Sequence, residues 1–177
     1  MEPPNSLPGL GRPALSTLLT LNLAKQAAMA GLPALLHDTS PNLVFLQEVS
    51  PSAQLLPLAT SRGYTCHFST STAAPKRTIA VLANVPVTIS EGRPGYLLEV
   101  SHGGHTFINV HAPSGTSGAQ LRDREALFGR LAARCRSSPP LPVLVGDFNA
   151  IIHQQDAEAN AAQRSSPALL GLVNNFC

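Results

Sequence analysis

With 177 residues, 44% of them hydrophobic and only 12% charged, the chain is long enough for one domain with a real core and too apolar to be disordered along its length. A formal charge of +2 does not announce a nucleic-acid binder, although a local groove can be basic on a near-neutral protein. Cys66, Cys135 and Cys177 stand far apart with no CxxC pair, which argues against zinc and leaves one thiol over from any disulfide scheme. Free or buried thiols in a reducing compartment are the expectation. The start, Met1-Glu2-Pro3-Pro4, has no basic n-region, so the chain does not read as secreted. The apolar stretch 14–36 is broken by Asn22, Lys25, Gln26 and Pro33 and does not read as a membrane span. An intracellular protein is expected.

In chain order, residues 1–13 carry Pro3, Pro4, Pro8 and Pro13 with little apolar periodicity and read as a disordered, Pro-rich leader, with the folded domain over 14–177. Residues 16–23 alternate partly and suit a first strand. Residues 25–37 look helical, with Gly31 and Pro33 expected to split the helix. A strand at 42–47 follows, then a short helix at 51–61 capped by Ser50 and weakened by Pro57. The middle is strand-like at 64–69, 78–84, 85–90, 96–101 and 106–111. Gly103-Gly104 supplies the positive-φ positions of a hairpin turn. Residues 121–136 form the clearest helix, with Leu121, Leu127, Phe128, Leu131 and Ala132 on one face and arginines on the other. A strand at 141–146 and an apolar helix at 167–176 complete the series. Helix-linked strands, then a meander, then helix and strand again predict an α+β layered fold with two packed sheets flanked by helices. A fold that stops on an apolar helix at the last residue is expected to be incomplete at its C-terminus.

The chemistry gathers where apolar runs end. Glu48 follows Leu43-Val44-Phe45-Leu46-Gln47; a carboxylate beside a buried strand needs a partner, and a divalent cation is a good one. Its plain alternative is a surface charge at a strand end. In Gly146-Asp147-Phe148-Asn149, Asp147 can orient or deprotonate water, and Asn149, two residues on, can hold a phosphate without adding charge. An ordinary strand-ending turn would use the same residue types. Asn109 and His111 share one face of their strand by alternation. Asn22 is a polar residue inside an apolar strand and needs a hydrogen-bond partner such as Glu48.

Taken in order, Asn22, Leu46-Gln47-Glu48, Asn109-Val110-His111-Ala112-Pro113-Ser114 and Gly146-Asp147-Phe148-Asn149 resemble the motifs of the exonuclease–endonuclease–phosphatase superfamily. The likeness is greatest to the apurinic-type endonuclease domains of non-LTR retrotransposons and runs from about residue 16 to 176. It implies a four-layer αββα sandwich and magnesium-dependent cleavage of phosphodiester bonds in DNA, with manganese as an alternative ion. By the same resemblance Glu48 matches the metal-binding residue and Asp147 the residue that handles the attacking water. Asn22, His111 and Asn149 match those that organise the site and the phosphate. His111 stands where many relatives have tyrosine, and Ser114 where many have asparagine; both can still hydrogen-bond a phosphate. Ser114, Arg122, Arg124, Lys76 and Arg77 are candidate contacts to phosphate or DNA backbone.

Ala24 stands where some DNA-repair relatives carry a second acidic ligand. The relatives' later Ser-Asp-His motif does not occur, so a truncated copy with reduced activity is expected. Nuclear action is expected if the substrate is host chromosomal DNA. A phosphatase or phospholipase of the same superfamily, a non-catalytic DNA-binding remnant and a nonfunctional fragment are the other readings.

Overall fold

Runs of Leu, Val and Ile at strand spacing build two sheets, and amphipathic segments between them supply the helices that cover both. The computed structural model describes residues 17–23, 26–49, 54–72, 78–137, 139–151 and 165–176. The expected leader, Ala24, Ser50, Lys76, Arg77 and Cys177 lie outside the described residues.

The elements are β1 (Leu18–Asn22), α1 (Gln26–Thr39), β2 (Leu43–Gln47), α2 (Leu55–Ser61), β3 (Thr65–Thr70), β4 (Thr78–Ala83), β5 (Thr88–Glu91), β6 (Leu97–His102), β7 (His105–His111), α3 (Gly118–Arg136), β8 (Val143–Asp147) and α4 (Pro167–Phe176). One sheet has the order β1-β2-β4-β3 and the other β5-β6-β7-β8. Each sheet is mixed: β1 runs parallel to β2 and β7 parallel to β8, while the remaining pairs are antiparallel. Every residue of β2 and β4 is buried, because these strands have helices on one face and the second sheet on the other.

Three apolar layers follow from this arrangement. Leu32, Leu36, Leu55 and Ala59 of α1 and α2 pack on Val44, Leu46, Ala80 and Leu82 of the first sheet. Leu43, Phe45, Val81, Leu98, Val100 and Phe107 fill the space between the sheets. Leu127, Phe128 and Leu131 of α3, with Leu169 and Leu172 of α4, cover Ile108 and Val110 of the second sheet. The result is the expected α+β sandwich of two mixed sheets with flanking helices.

Within the middle layer sits one polar knot. Asn109 on β7 is fully buried; its Nδ2 donates to the carbonyls of Leu46 (3.2 Å) and Ala80 (3.1 Å) in the opposite sheet, and its Oδ1 accepts from Gln47 Nε2 at 2.7 Å. A buried amide is tolerated only when satisfied in this way, so Asn109 fixes how the sheets face each other.

The structure corrects three local expectations. Helix α1 is not split: Pro33 lies inside it, and the buried Leu32 and Leu36 on either side hold the turns together. Helix α2 begins at Leu55 after Gln54, which makes no side-chain cap bond; Pro57 is harmless in the first turn, where an N–H has no intrahelical partner. Helix α3 starts at Gly118 rather than at residue 121, because Ser117 and Gln120 form a reciprocal capping box. The Gly103-Gly104 turn is as expected, both residues having positive φ.

Candidate active site

Parallel pairing brings the C-terminal ends of four strands to one end of the sandwich. Asn22 closes β1 beside Gln47, and Glu48 follows directly; His111 closes β7 opposite Asp147, which closes β8. The two sheet edges meet through β1 and β8. Asn22 therefore lies between carboxylates from different sheets: its Nδ2 donates to Glu48 Oε1 at 3.1 Å and to Asp147 Oδ2 at 2.8 Å. The polar residue in the first strand has its partner, and that partner is a pair of acids.

The backbone at the site is unusual at three positions. Glu48 (φ 53°) and Asn149 (φ 48°) are left-handed, a conformation uncommon outside glycine and costly for glutamate. At Glu48 it ends the strand with the side chain turned toward Asn22 and His111. Gly146 has φ 127°, and a side chain there would run into the Val110 backbone of β7. The glycine thus allows β8 to lie close to β7 while Asp147 turns out of the strand.

Both oxygens of Asp147 are engaged: Asn22 holds Oδ2, and the Asn149 backbone amide donates to Oδ1 at 2.9 Å. The Asn149 side chain donates to the Ala112 carbonyl at 2.9 Å, and the Ala112 amide donates to the Asp147 carbonyl at 2.8 Å, tying together the loops after β7 and β8. His111 is buried; its amide donates to Tyr96 O at 2.8 Å and its Nε2 lies 3.6 Å from Glu48 Oε1. One ligand atom from each of Glu48, His111 and Asp147 lies within 4.8 Å of the others, so these three could hold a metal ion. Two carboxylates held this close repel, and a cation between them removes that cost. An open cleft of about 500 Å³ adjoins Asp147, lined by Asn22, Gln47, Asn149 and Ile151 among others. A cavity of about 550 Å³ between α4 and β8, lined by Leu172, Phe176 and Val143, is apolar and lacks such groups.

Five expected site residues therefore converge: Asn22, Glu48, His111, Asp147 and Asn149. Others do not. Arg124, expected to meet phosphate, is 1% exposed, and its Nη1 donates to the Asn149 carbonyl at 2.8 Å. It could have been placed from its spacing, since Arg124 lies three and four residues before Leu127 and Phe128 on the buried face. Arg122 and Ser114 are exposed, as a backbone contact must be. The sequence reading also passed over Gln47, whose amide supports Asn109 beneath the site. A buried glutamine at a strand end was a usable signal.

Comparison with known proteins agrees with this fold. The pattern of the Endonuclease/Exonuclease/phosphatase family matches residues 19–170. No curated protein matches the sequence. Among solved structures, an AP endonuclease from Archaeoglobus fulgidus is similar with a TM-score of 0.73 and 15% identity, over 90% of this chain and 68% of that one. The 3'-5' exonuclease NExo from Neisseria meningitidis follows at 0.70 and 16%, over 90% and 69%. The 3' phosphatase NExo from Neisseria, bound to product DNA hairpin, gives 0.68 and 17%, over 91% and 70%. At these identities the likeness is one of fold.

Proposed function

Because the chain belongs to the Endonuclease/Exonuclease/phosphatase family, we propose that it is a magnesium-dependent phosphodiesterase of the apurinic-endonuclease type that nicks DNA. The observation that carries this reading is the convergence of Glu48, His111 and Asp147 on one point, with Asn22 between the two acids. The two hard carboxylate oxygens fit magnesium or manganese in type, with Glu48 as the anchor, and leave the imidazole of His111 for the phosphate. An ion bound there would neutralise charge on a phosphate oxygen.

The protein's own groups do the rest. Asp147, steadied at both oxygens, orients the attacking water and accepts its proton. Asn22 keeps the two carboxylates in register. His111 and Asn149 orient the phosphate, and Ser114, Arg122, Lys76 and Arg77 contact the DNA backbone. The order and spacing of the motifs favour an origin in a non-LTR retrotransposon.

A second reading is a phosphatase acting at DNA 3' ends, favoured by the similar fold of a 3' phosphatase bound to product DNA hairpin. Three substrates separate the readings: supercoiled plasmid, an abasic duplex and a 3'-phosphorylated hairpin, each with magnesium, manganese or zinc. Nicking of the first two is expected, with Asp147→Ala slowing it by ~10² to 10⁴. Glu48→Gln should weaken magnesium binding in calorimetric titration. Phosphate release without nicking would move the assignment to the second reading. DNA retention with no turnover of any substrate would leave a binding protein. Equal magnesium affinity in wild type and Glu48→Gln would place the ion elsewhere.

A further inference from the structure

Among the described residues, Arg124 is the largest side chain that the fold buries completely, and it is charged. Taking a guanidinium out of water is unfavourable unless its donors meet acceptors of fixed position. Here Nη1 meets the carbonyl of Asn149, at 2.8 Å, and Asn149 is the left-handed residue whose amide holds Asp147 Oδ1. One helical turn on, Phe128 stacks on Phe148 with ring centroids 6.3 Å apart, so α3 grips the residue before the turn as well. Glu125, the residue after Arg124, accepts the Ala168 amide at the start of α4, which fixes the helix against its neighbour.

We infer that Arg124 is a positioning residue for the reaction: through the Asn149 carbonyl it holds the left-handed turn that aims Asp147 at the ion and the water. This rests on the proposed phosphodiesterase reading for its catalytic consequence, but the geometric part stands on the Arg124–Asn149–Asp147 chain of hydrogen bonds alone. Released from Arg124, the Asn149 peptide can rotate toward an ordinary conformation. Its amide then leaves Oδ1, and the carboxylate loses one of its two fixed supports. Outer partners of this kind commonly change metal affinity or activity by about 10-fold to 100-fold. Arg124 is too buried to touch DNA, so substrate affinity should not follow.

The test compares Arg124→Met and Arg124→Lys with Leu131→Ala, a cavity variant on the same buried face of α3. All are studied at a temperature where melting curves show each folded. Two readouts are used: hydrogen exchange of the Asn149 amide, and the affinity for Mn²⁺ alone. The expected result is protection of Asn149 in wild type and Leu131→Ala, lost in Arg124→Met and partly restored in Arg124→Lys. Mn²⁺ affinity should fall about 10-fold to 100-fold in Arg124→Met, less in Arg124→Lys and not in Leu131→Ala, and DNA nicking should lose kcat with KM unchanged. Unchanged Asn149 protection in Arg124→Met, or equal loss in Leu131→Ala, overturns the inference. A wild type that neither binds Mn²⁺ nor nicks DNA overturns the functional reading instead, and the exchange data still decide whether Arg124 holds the turn. If Arg124→Met does not fold, Arg124→Lys carries the same two comparisons.

Discussion

Gly146 shows how one residue type can decide a site. Its φ of 127° and its approach to Val110 leave no room for a Cβ, and the atoms in the way are backbone, which cannot step aside. Gly146→Ala should therefore destabilise the fold by roughly 3 kcal/mol or more, measured by urea denaturation, and a loss below about 1 kcal/mol would show that β8 can shift away from β7. Cys66 offers a residue-scale test by pH. Burial pushes its thiol up from 9.0 to about 11, because the thiolate would lose its water. Below pH 9 both folded and unfolded chains keep the proton; between 9 and about 11 the unfolded chain ionises first, so this group's contribution to stability declines as pH rises through that window. Alkylation of the Cys66 peptide at pH 8 should be much slower in the native than in the denatured protein, and equal rates would show an accessible thiolate. Charged and amide residues closing apolar strands each have an ordinary structural use, so it was their joint order along the chain that made the site legible. Arg124 was misjudged because arginine is mostly a surface residue, and composition outweighed spacing.

Among the elements, helix boundaries were the least legible. Helix α3 begins three residues before the apolar period does, since a capping box rather than the hydrophobic face determines the first turn. The Ser117 Oγ accepts the Gln120 amide at 3.4 Å and the Gln120 Oε1 accepts the Ser117 amide at 3.2 Å. Ser117→Ala should cost about 1 kcal/mol, seen as a lower Tm without loss of helix content. An unchanged Tm would mean that Leu127, Phe128 and Leu131 hold the helix without help from its cap. Pro33 teaches the converse. Proline removes one bond from α1, but burial of Leu32 and Leu36 against the sheet outweighs that loss, a tertiary effect that no local signal reveals.

For the molecule as a whole, the two-sheet sandwich was legible from the alternation of strand and helix patterns, whereas the register between sheets was not. That register depends on Asn109, which the sequence marked only as a polar residue sharing a face with His111. Asn109→Ala would leave the Gln47 amide and the Leu46 and Ala80 carbonyls buried without this partner. A loss of roughly 3 kcal/mol is expected, with a coupling of at least ~0.5 kcal/mol to Gln47→Ala in a double-mutant cycle. Strict additivity of the two variants would mean that the sheets are aligned by apolar packing alone. Asn22 and Asp147, joined by one hydrogen bond, are 125 positions apart in the chain. Closing a loop of that length comes after local helices and hairpins have formed, so Asn22 and Asp147 should come together late in folding. An ion bound by Glu48 and Asp147 would gain nothing from the earlier, partly built states. It would act as a lock set on the finished protein, slowing its opening while leaving the speed of assembly unchanged.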